Sequence, residues 1–79
     1  MSPTVLRYKQ YRFFFFSREE TRKHIHVVSP NGEAKFWLEP IVALEENFHL
    51  NAHELKELHG VIERRKHEIL AAWNKHFKR

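Results

Sequence analysis

The chain of 79 residues has a formal net charge of +4 and a pI near 9.7, contains no cysteine, and is 42% hydrophobic and 14% aromatic. This composition is typical of one globular domain and excludes disulfides, thiol chemistry and cysteine metal sites. No apolar run approaches the ~20 residues of a membrane helix, and residues 1–4 lack the layout of a signal peptide, so we expect a cytoplasmic protein without membrane contact. The positive charge favours an anionic partner such as RNA, DNA or an acidic protein, unless it serves solubility alone.

The first two predicted strands cover Thr4 to Tyr8 and Tyr11 to Phe16, joined by a turn at Lys9 and Gln10 whose type stays open because neither residue favours positive φ. The charged stretch Ser17 to Lys23 predicts a loop. Alternation along the two strands sorts their side chains onto two faces. One face carries Leu6, Tyr8, Tyr11, Phe13 and Phe15, and the other carries Val5, Arg7, Arg12, Phe14 and Phe16. Aromatic rings on both faces indicate a strand covered on both sides or one that has an interface on one side.

A β-hairpin is predicted over His24 to Leu38, around Asn31-Gly32. This dipeptide is a strong hairpin indicator because a tight primed turn requires positive φ at both central residues. That turn places Val28 opposite Lys35 and His26 opposite Trp37. The predicted core face carries Ile25, Val27, Ala34, Phe36 and Leu38, and the other face carries His24, His26, Val28, Lys35 and Trp37. A two-residue slip in register would keep these faces, whereas a one-residue slip would exchange them on one strand.

After the second hairpin, the sequence pattern predicts a C-terminal helix that covers the sheet. Glu39-Pro40 ends the preceding strand, Ile41 to Leu44 is a candidate fifth strand, and Glu45 to Leu50 is a connection. Asn51 is a favourable N-cap, and Glu54 completes a capping box. The buried stripe at helical spacing consists of Leu55, Leu58, Ile62, Ile69 and Trp73, widened by Val61, Leu70 and Phe77. Gly60 costs about 1 kcal/mol relative to Ala, so any kink or break is expected there.

The predicted fold is therefore α+β, with a small antiparallel sheet of four or five strands packed against a C-terminal α-helix. A single domain is expected over residues 1–79, with the sheet over residues 4–44 and the helix over residues 51–77.

The candidate site lies on the face that carries the two histidines of the hairpin. His24 and His26 stand at i and i+2 and could act as acid and base on a phosphodiester, because histidine titrates near neutral pH; the alternative is a structural or surface role. No third ligand is evident for a metal, and no cofactor is predicted. Trp37 either packs across the strands or stacks on a base. The other predicted binding residues are Arg7, Arg12, Phe14, Phe16 and Lys35, provided that both hairpins share one sheet with aligned faces.

A second set of histidines lies on the predicted helix. His59, Glu63 and His67 share one helical face, but the intervening cations Arg64 to Lys66 would repel a metal. We interpret this face as solvated, with Glu63 and His67 as an i,i+4 pair.

Several blocks in order resemble one known family. The blocks are Pro3 to Leu6, Tyr11 to Ser17, His24 to Val27, Glu33 to Leu38 and the helix from His53 to Asn74. They are similar to a family of short bacterial proteins classified as domain of unknown function 4160, over nearly the whole chain. Genes of that family often neighbour those of a second small family, so the resemblance implies a toxin–antitoxin-type module with a cognate protein encoded nearby. Two departures are Gln10, where members often have Gly, and the approach Glu19 to Lys23, which lacks proline and places basic residues beside His24.

Three functions stay open from the sequence. The first is a toxin-like component acting on RNA or a cellular protein; as a ribonuclease it would use His24 and His26, with Lys35 and Arg12 stabilising phosphate charge. The second is a non-catalytic protein-binding module that docks a partner through Phe13 to Phe16 or a sheet edge. The third is a nucleic-acid-binding regulator whose affinity falls steeply with salt. Enzymatic activity and oligomeric state are left open.

Overall fold

The computed structural model describes residues 4–16 and 22–77. Its elements are β1 (Thr4–Tyr8), β2 (Tyr11–Phe14), β3 (His24–Val28), β4 (Glu33–Trp37), β5 (Ala43–Phe48), α1 (Ala52–Arg64) and α2 (Lys66–His76). The strands form one antiparallel sheet in the order β1-β2-β3-β4-β5, and the helices follow it in sequence. The predicted α+β fold is confirmed. The loop residues 17–21 and the C-terminal cations Lys78 and Arg79 lie outside the described residues.

One face of the sheet is buried against both helices, as the alternation of apolar residues predicts. The buried hydrophobic side chains of the strands are Leu6, Tyr11, Phe13, Ile25, Val27, Ala34 and Phe36, joined by Phe15 just after β2 and Leu38 just after β4. They form one cluster with Leu58, Val61, Ile62, Ile69 and Trp73 of the helices. Burial of apolar area is the main stabilising contribution in such a core. The opposite side of the sheet is called the outer face below. Its side chains include Arg7, Arg12, Phe14, Phe16, His26, Lys35 and Trp37.

The β1–β2 hairpin has the predicted turn. Tyr8 lies opposite Tyr11 and Arg7 opposite Arg12, and a bulge near Val5 shifts the pairing at the start of β1. Lys9 adopts φ 53, so one of the two turn residues takes the left-handed conformation that few non-glycine residues adopt. The strand β2 ends at Phe14, two residues before the predicted end.

The register of the β3–β4 hairpin differs by two residues from the prediction. His24 lies opposite Trp37 and His26 opposite Lys35. Backbone hydrogen bonds join Ser29 and Gly32 in both directions (2.9 and 3.3 Å), so Pro30 and Asn31 are the central turn residues. Proline fixes φ near −65°, which suits the first central position of a common turn and excludes a primed turn at that position. A two-residue shift preserves the faces, so the predicted grouping of side chains is retained, except that His24 is fully buried with its ring 5.2 Å from that of Trp73 on α2.

Gly32 is required for a reason other than its backbone angle. Its φ is not positive. A Cβ atom at this position would lie 2.1 Å from the carbonyl oxygen of Phe48 and 3.1 Å from the carbonyl carbon of His49. The glycine therefore permits close approach of the end of β5 to the β3–β4 turn.

The fifth strand is longer than expected and lies later in the chain. It spans Ala43–Phe48 and pairs with β4 through a bulge opposite Lys35 and Phe36. The prediction that Glu45 to Leu50 forms a connection is therefore wrong. The sheet consequently extends to residue 48 instead of 44. Its sequence Ala-Leu-Glu-Glu-Asn-Phe does not alternate between apolar and polar residues, so no period-two pattern identifies the strand, and five of its six residues are exposed.

The helical region begins as predicted but breaks at a different residue. The Asn51 side chain accepts a hydrogen bond from the Glu54 N–H (2.8 Å), and the Glu54 carboxylate accepts one from the Asn51 N–H (2.9 Å), which confirms the capping box. The expected kink at Gly60 is wrong, because α1 continues through that residue and the break falls at Arg65 (φ −108, ψ 17). The next turn of the buried stripe after Ile62 falls at residues 65 and 66, which are cations, and Arg65 at the break is exposed. None of the described helices is long and apolar enough to cross a membrane.

Candidate nucleic-acid interface

The outer face brings the predicted binding residues of both hairpins together. Because β2 pairs with β3, Phe14 lies opposite His26, and His26 lies opposite Lys35 on β4. Arg7 lies opposite Arg12 on the first hairpin. The two hairpins thus share one sheet with their faces aligned, which is the condition that the sequence left open.

Aromatic rings form a continuous cluster on β2 and β3. The Phe14 ring is stacked on His26 with ring centres 5.5 Å apart, and Phe16 contacts His26 edge-on at 4.3 Å. Phe14 and Phe16 contact each other at 5.3 Å. Phe16 is 45% exposed, so its ring is accessible at the surface even though it belongs to this cluster.

Positive groups lie against the aromatic rings. The Arg22 guanidinium carbon is 4.1 Å from the centre of the Trp37 ring, and the Lys35 ammonium is 4.8 Å from it. The Arg12 guanidinium carbon is 4.7 Å from the Phe14 ring, and its Nε donates to the hydroxyl of Thr4 (2.7 Å). Cation–π attraction of this kind is worth about 0.5–1 kcal/mol at exposed sites and holds the cations beside the rings.

Arg22 is a member of this cluster that the sequence reasoning missed. It stands in the predicted charged loop, where no periodic pattern assigns a residue to a face. Its Nε donates to the carbonyl oxygen of Glu39 (3.1 Å), which holds the side chain next to Trp37. The cis peptide bond between Glu39 and Pro40 belongs to the same segment.

The two candidate catalytic histidines occupy different environments. His24 is fully buried, its Nδ1 lies 2.7 Å from the carbonyl oxygen of Arg22, and its ring is 5.2 Å from that of Trp73 on α2. His26 is half-buried within the phenylalanine cluster. A general acid or base must reach the substrate within hydrogen-bond distance. The position of His24 therefore favours a structural role, and catalysis by either histidine stays a prediction.

Acidic residues border the outer face on the β5 side. Glu46 lies opposite Lys35, and Glu33 lies opposite Val28 on one side and Phe48 on the other. Both carboxylates belong to exposed residues. The cations of the outer face thus lie on β1, β2 and β4 and beside Trp37, whereas the negative charge lies at the edge next to β5.

The helical histidines do not form a metal site. Among the described residues, no group of three or more histidine, aspartate or glutamate side chains is placed to hold a metal ion. The Nε2 of His59 is 3.1 Å from the carbonyl oxygen of Val42 and 3.8 Å from the Glu63 carboxylate. Glu63 therefore lies near the histidine that precedes it by four residues. The pairing of Glu63 with His67 stays a prediction.

Two glutamates of α1 tie the helix to the two hairpin turns. The Glu57 carboxylate accepts hydrogen bonds from the hydroxyl of Tyr8 (2.8 Å) and the ammonium of Lys9 (2.6 Å). The bond from Lys9 is the largest cause of the lowered pKa of Glu57, and the same bond raises the pKa of Lys9. No local sequence pattern indicates this contact, because its partners are 48 and 49 residues apart.

Glu54 contacts the first hairpin beside its turn and also the second turn. Its carboxylate accepts hydrogen bonds from the hydroxyl of Tyr11 (3.1 Å) and the side-chain amide of Asn31 (3.2 Å), besides the N–H of Asn51. The backbone bond from Asn51 is the largest cause of the lowered pKa of Glu54, and burial raises the pKa of Tyr11. These contacts orient the turns, and therefore the strands of the outer face, relative to α1.

Comparison with known proteins identifies the family. Residues 11–74 match the model of the family described as Domain of unknown function (DUF4160). No curated protein and no solved structure is significantly similar to the chain. Because the match spans well over half of the 79 residues, the chain belongs to the DUF4160 family.

Proposed function

We propose that this protein binds single-stranded RNA through its outer face, as the toxin-like component of a two-gene module. The observation that carries the proposal is the alternation of cations and aromatic rings across four strands of one sheet face, while both helices cover the other face. Single-stranded nucleic acids are bound by this combination, because cations hold the phosphates and aromatic rings stack on the bases.

The chemistry divides between two sets of side chains. Arg7 is exposed on β1 and, with Lys35 on β4, would contact phosphate oxygens. Phe16 and Trp37 would stack on bases. The guanidinium of Arg22 lies 4.1 Å from the Trp37 ring and offers a further planar surface, since bases stack on guanidinium groups as well as on rings.

The distribution of charge indicates where the RNA would run. Phosphates would be attracted to the cations on β1, β2 and β4 and repelled by Glu33 at the start of β4 and Glu46 on β5. The favoured path therefore crosses the β1–β4 part of the outer face. Binding without hydrolysis is the simpler form of the proposal, because the buried His24 is not available to a substrate.

A direct binding experiment tests the proposal. Fluorescence anisotropy with a labelled single-stranded RNA should give an affinity that falls with salt concentration, and a duplex of the same sequence should bind more weakly. The variant Arg7→Ala/Lys35→Ala should weaken binding and reduce the slope of log affinity against log salt by about 1.4, at about 0.7 per phosphate contact. The matched control is Arg64→Ala/Lys66→Ala, which removes the same charges from the helices.

Two outcomes would contradict RNA binding at this face. One is an equal loss of affinity in both double variants, which would indicate an effect of net charge alone. The other is an affinity independent of salt.

A protein-binding module, the second candidate, is favoured by the 45% exposure of Phe16. It predicts that Phe16→Ser abolishes capture of the cognate protein, while Arg7→Ala/Lys35→Ala leaves that capture intact.

The toxin-like role is tested by growth of bacteria after controlled induction of this chain alone. The wild type should arrest growth, and equally expressed Arg7→Ala/Lys35→Ala should not, because the arrest would depend on RNA binding. Intact cellular RNA during arrest would indicate sequestration, and cleaved RNA would indicate ribonuclease activity. Normal growth with the wild type would refute the toxin-like role without affecting RNA binding in vitro.

A further inference from the structure

The strand β5 is an open edge of the sheet. It pairs with β4 on one side and, within residues 4–16 and 22–77, with no strand on the other. Five of its six residues are exposed. The backbone N–H and C=O groups on the open side of an edge strand can pair with an additional strand.

Apolar side chains are concentrated at this edge. Among the described residues, four large hydrophobic side chains are exposed, and three of them lie on or just before β5: Ile41 (67%), Leu44 (45%) and Phe48 (54%). Phe16 is the fourth and belongs to the outer face. Leu44 lies opposite Phe36 and Phe48 lies opposite Glu33, so the edge carries an exposed apolar side chain on each face of the sheet.

The same edge is the acidic part of a basic protein. Residues 36–55 contain four glutamates and no lysine or arginine, whereas the whole chain carries 14 lysines and arginines. Glu45 and Glu46 are adjacent in the middle of β5, and both are exposed. The edge therefore combines hydrogen-bonding backbone, apolar side chains and negative charge.

We propose that β5 is a docking edge for an extended segment of another protein that alternates basic and apolar residues. Glu46 lies opposite Lys35 and Leu44 lies opposite Phe36, so these two side chains of β5 lie on opposite faces of the sheet. Addition of an alternating strand would therefore place its cations beside Glu46 on the outer face and its apolar side chains beside Leu44 on the other face. A second copy of this chain is a poor occupant, because antiparallel β5–β5 pairing would set glutamates against glutamates, which is destabilising. The bulge and the two charges on β5 act against indiscriminate pairing and select a basic partner strand.

Synthetic peptides test the edge without knowledge of the natural partner. The probe is an eight-residue peptide of alternating valine and lysine, and its counterpart alternates valine and glutamate. The basic peptide should bind at least about fivefold more tightly, because each favourable cross-strand charge pair contributes a few tenths of a kcal/mol or more. Amide hydrogen exchange should slow within residues 43–48 on binding and stay unchanged within residues 4–8 of the opposite edge.

Charge reversal at the edge gives the decisive comparison. Glu45→Lys/Glu46→Lys should reverse the preference, so that the acidic peptide binds more tightly. Glu63→Lys/Glu68→Lys makes the same change in net charge on the helices and should keep the preference of the wild type. These readouts do not involve RNA, so their outcome is independent of the function proposed for the outer face.

Three results would overturn the docking edge. The first is no binding of the basic peptide up to about 1 mM, the range of the weakest specific associations. The second is binding without slower exchange in residues 43–48. The third is reversal of the preference by the helix variant as well, since net charge would then account for the selectivity.

Discussion

The substitution Gly32→Ala tests whether the close approach of β5 to the β3–β4 turn holds the edge of the sheet in place. The added Cβ atom would lie 2.1 Å from the carbonyl oxygen of Phe48, which is 0.9 Å inside the 3.0 Å that real Cβ contacts respect. The neighbour is backbone and cannot rotate away, so the end of β5 or the turn must move.

The expected cost follows from two opposing contributions. Forcing extra atoms into a packed contact typically costs about 1–3 kcal/mol. Replacing glycine by alanine also restricts the unfolded chain, which returns about 0.4–1 kcal/mol where the backbone is compatible. The central values of the two contributions leave a net destabilisation of about 1.3 kcal/mol, which lowers the melting temperature of a domain of this size by about 5–10 °C.

Thermal and urea unfolding of the variant measure this loss, and amide exchange identifies the segment that loosens. The matched control is Gly60→Ala, whose Cβ would lie 3.2 Å from the end of the flexible Arg64 side chain. In a helix interior this change should stabilise by about 0.5–1 kcal/mol. An unchanged or raised melting temperature for Gly32→Ala would refute the close-approach argument, and so would faster exchange outside β5 and the turn.

Two further substitutions test the attachments of α1. Asn51→Ala removes the capping box and should cost about 1 kcal/mol by urea unfolding, whereas Asn74→Ala, within α2, should cost less. The pKa of Glu57 is lowered in the folded protein, chiefly by the hydrogen bond from Lys9. The stability that this bond contributes is therefore present above the unfolded pKa near 4.5 and is lost as the pH falls through the lower folded pKa. Glu57→Gln should therefore be less stable at pH 7 and lose less stability than the wild type on acidification; parallel pH curves would contradict this.

The faces of the sheet were predictable because they depend on a period of two residues. The core residues Ile25, Val27 and Phe36 are buried as predicted, although the register of their hairpin is shifted by two residues. An even shift leaves every side chain on its own face. The turn itself was mispredicted because Asn31-Gly32 outweighed the neighbouring proline, whose fixed φ places the turn one residue earlier.

The fifth strand and the helix break were not predictable from local pattern. The strand β5 has two apolar residues, three polar residues and then Phe48, without alternation, and its assignment depends on backbone pairing with β4. The break at Arg65 depends on which turn of the helix meets solvent. Helix propensity instead favours a break at Gly60, because glycine is less favourable than arginine in a helix interior. Both errors arise where long-range packing overrides intrinsic preference.

Periodicity predicted which side chains share the outer face, but it did not predict their contacts. Periodicity assigned Arg12, Phe14 and Lys35 to one face, and the pairing of β2 with β3 then joined the two hairpins. Arg22 could not be assigned, because loop residues carry no period. The burial of His24 likewise depends on Trp73, which is 49 residues away in the chain.

The two proposed surfaces lie next to each other, and their charges determine how they would interact. Lys35 of the outer face is directly opposite Glu46 of β5, so the cationic face and the acidic edge meet at this pair. A basic strand added at β5 would neutralise Glu46 and extend the positive face laterally, which strengthens the attraction for phosphates. If both surfaces bind, the basic segment and RNA should therefore favour each other, and the coupling must be equal in both directions because binding free energies are linked. A partner that neutralises a toxin-like activity would then have to cover the outer face itself, because occupation of the edge alone would increase the affinity for RNA.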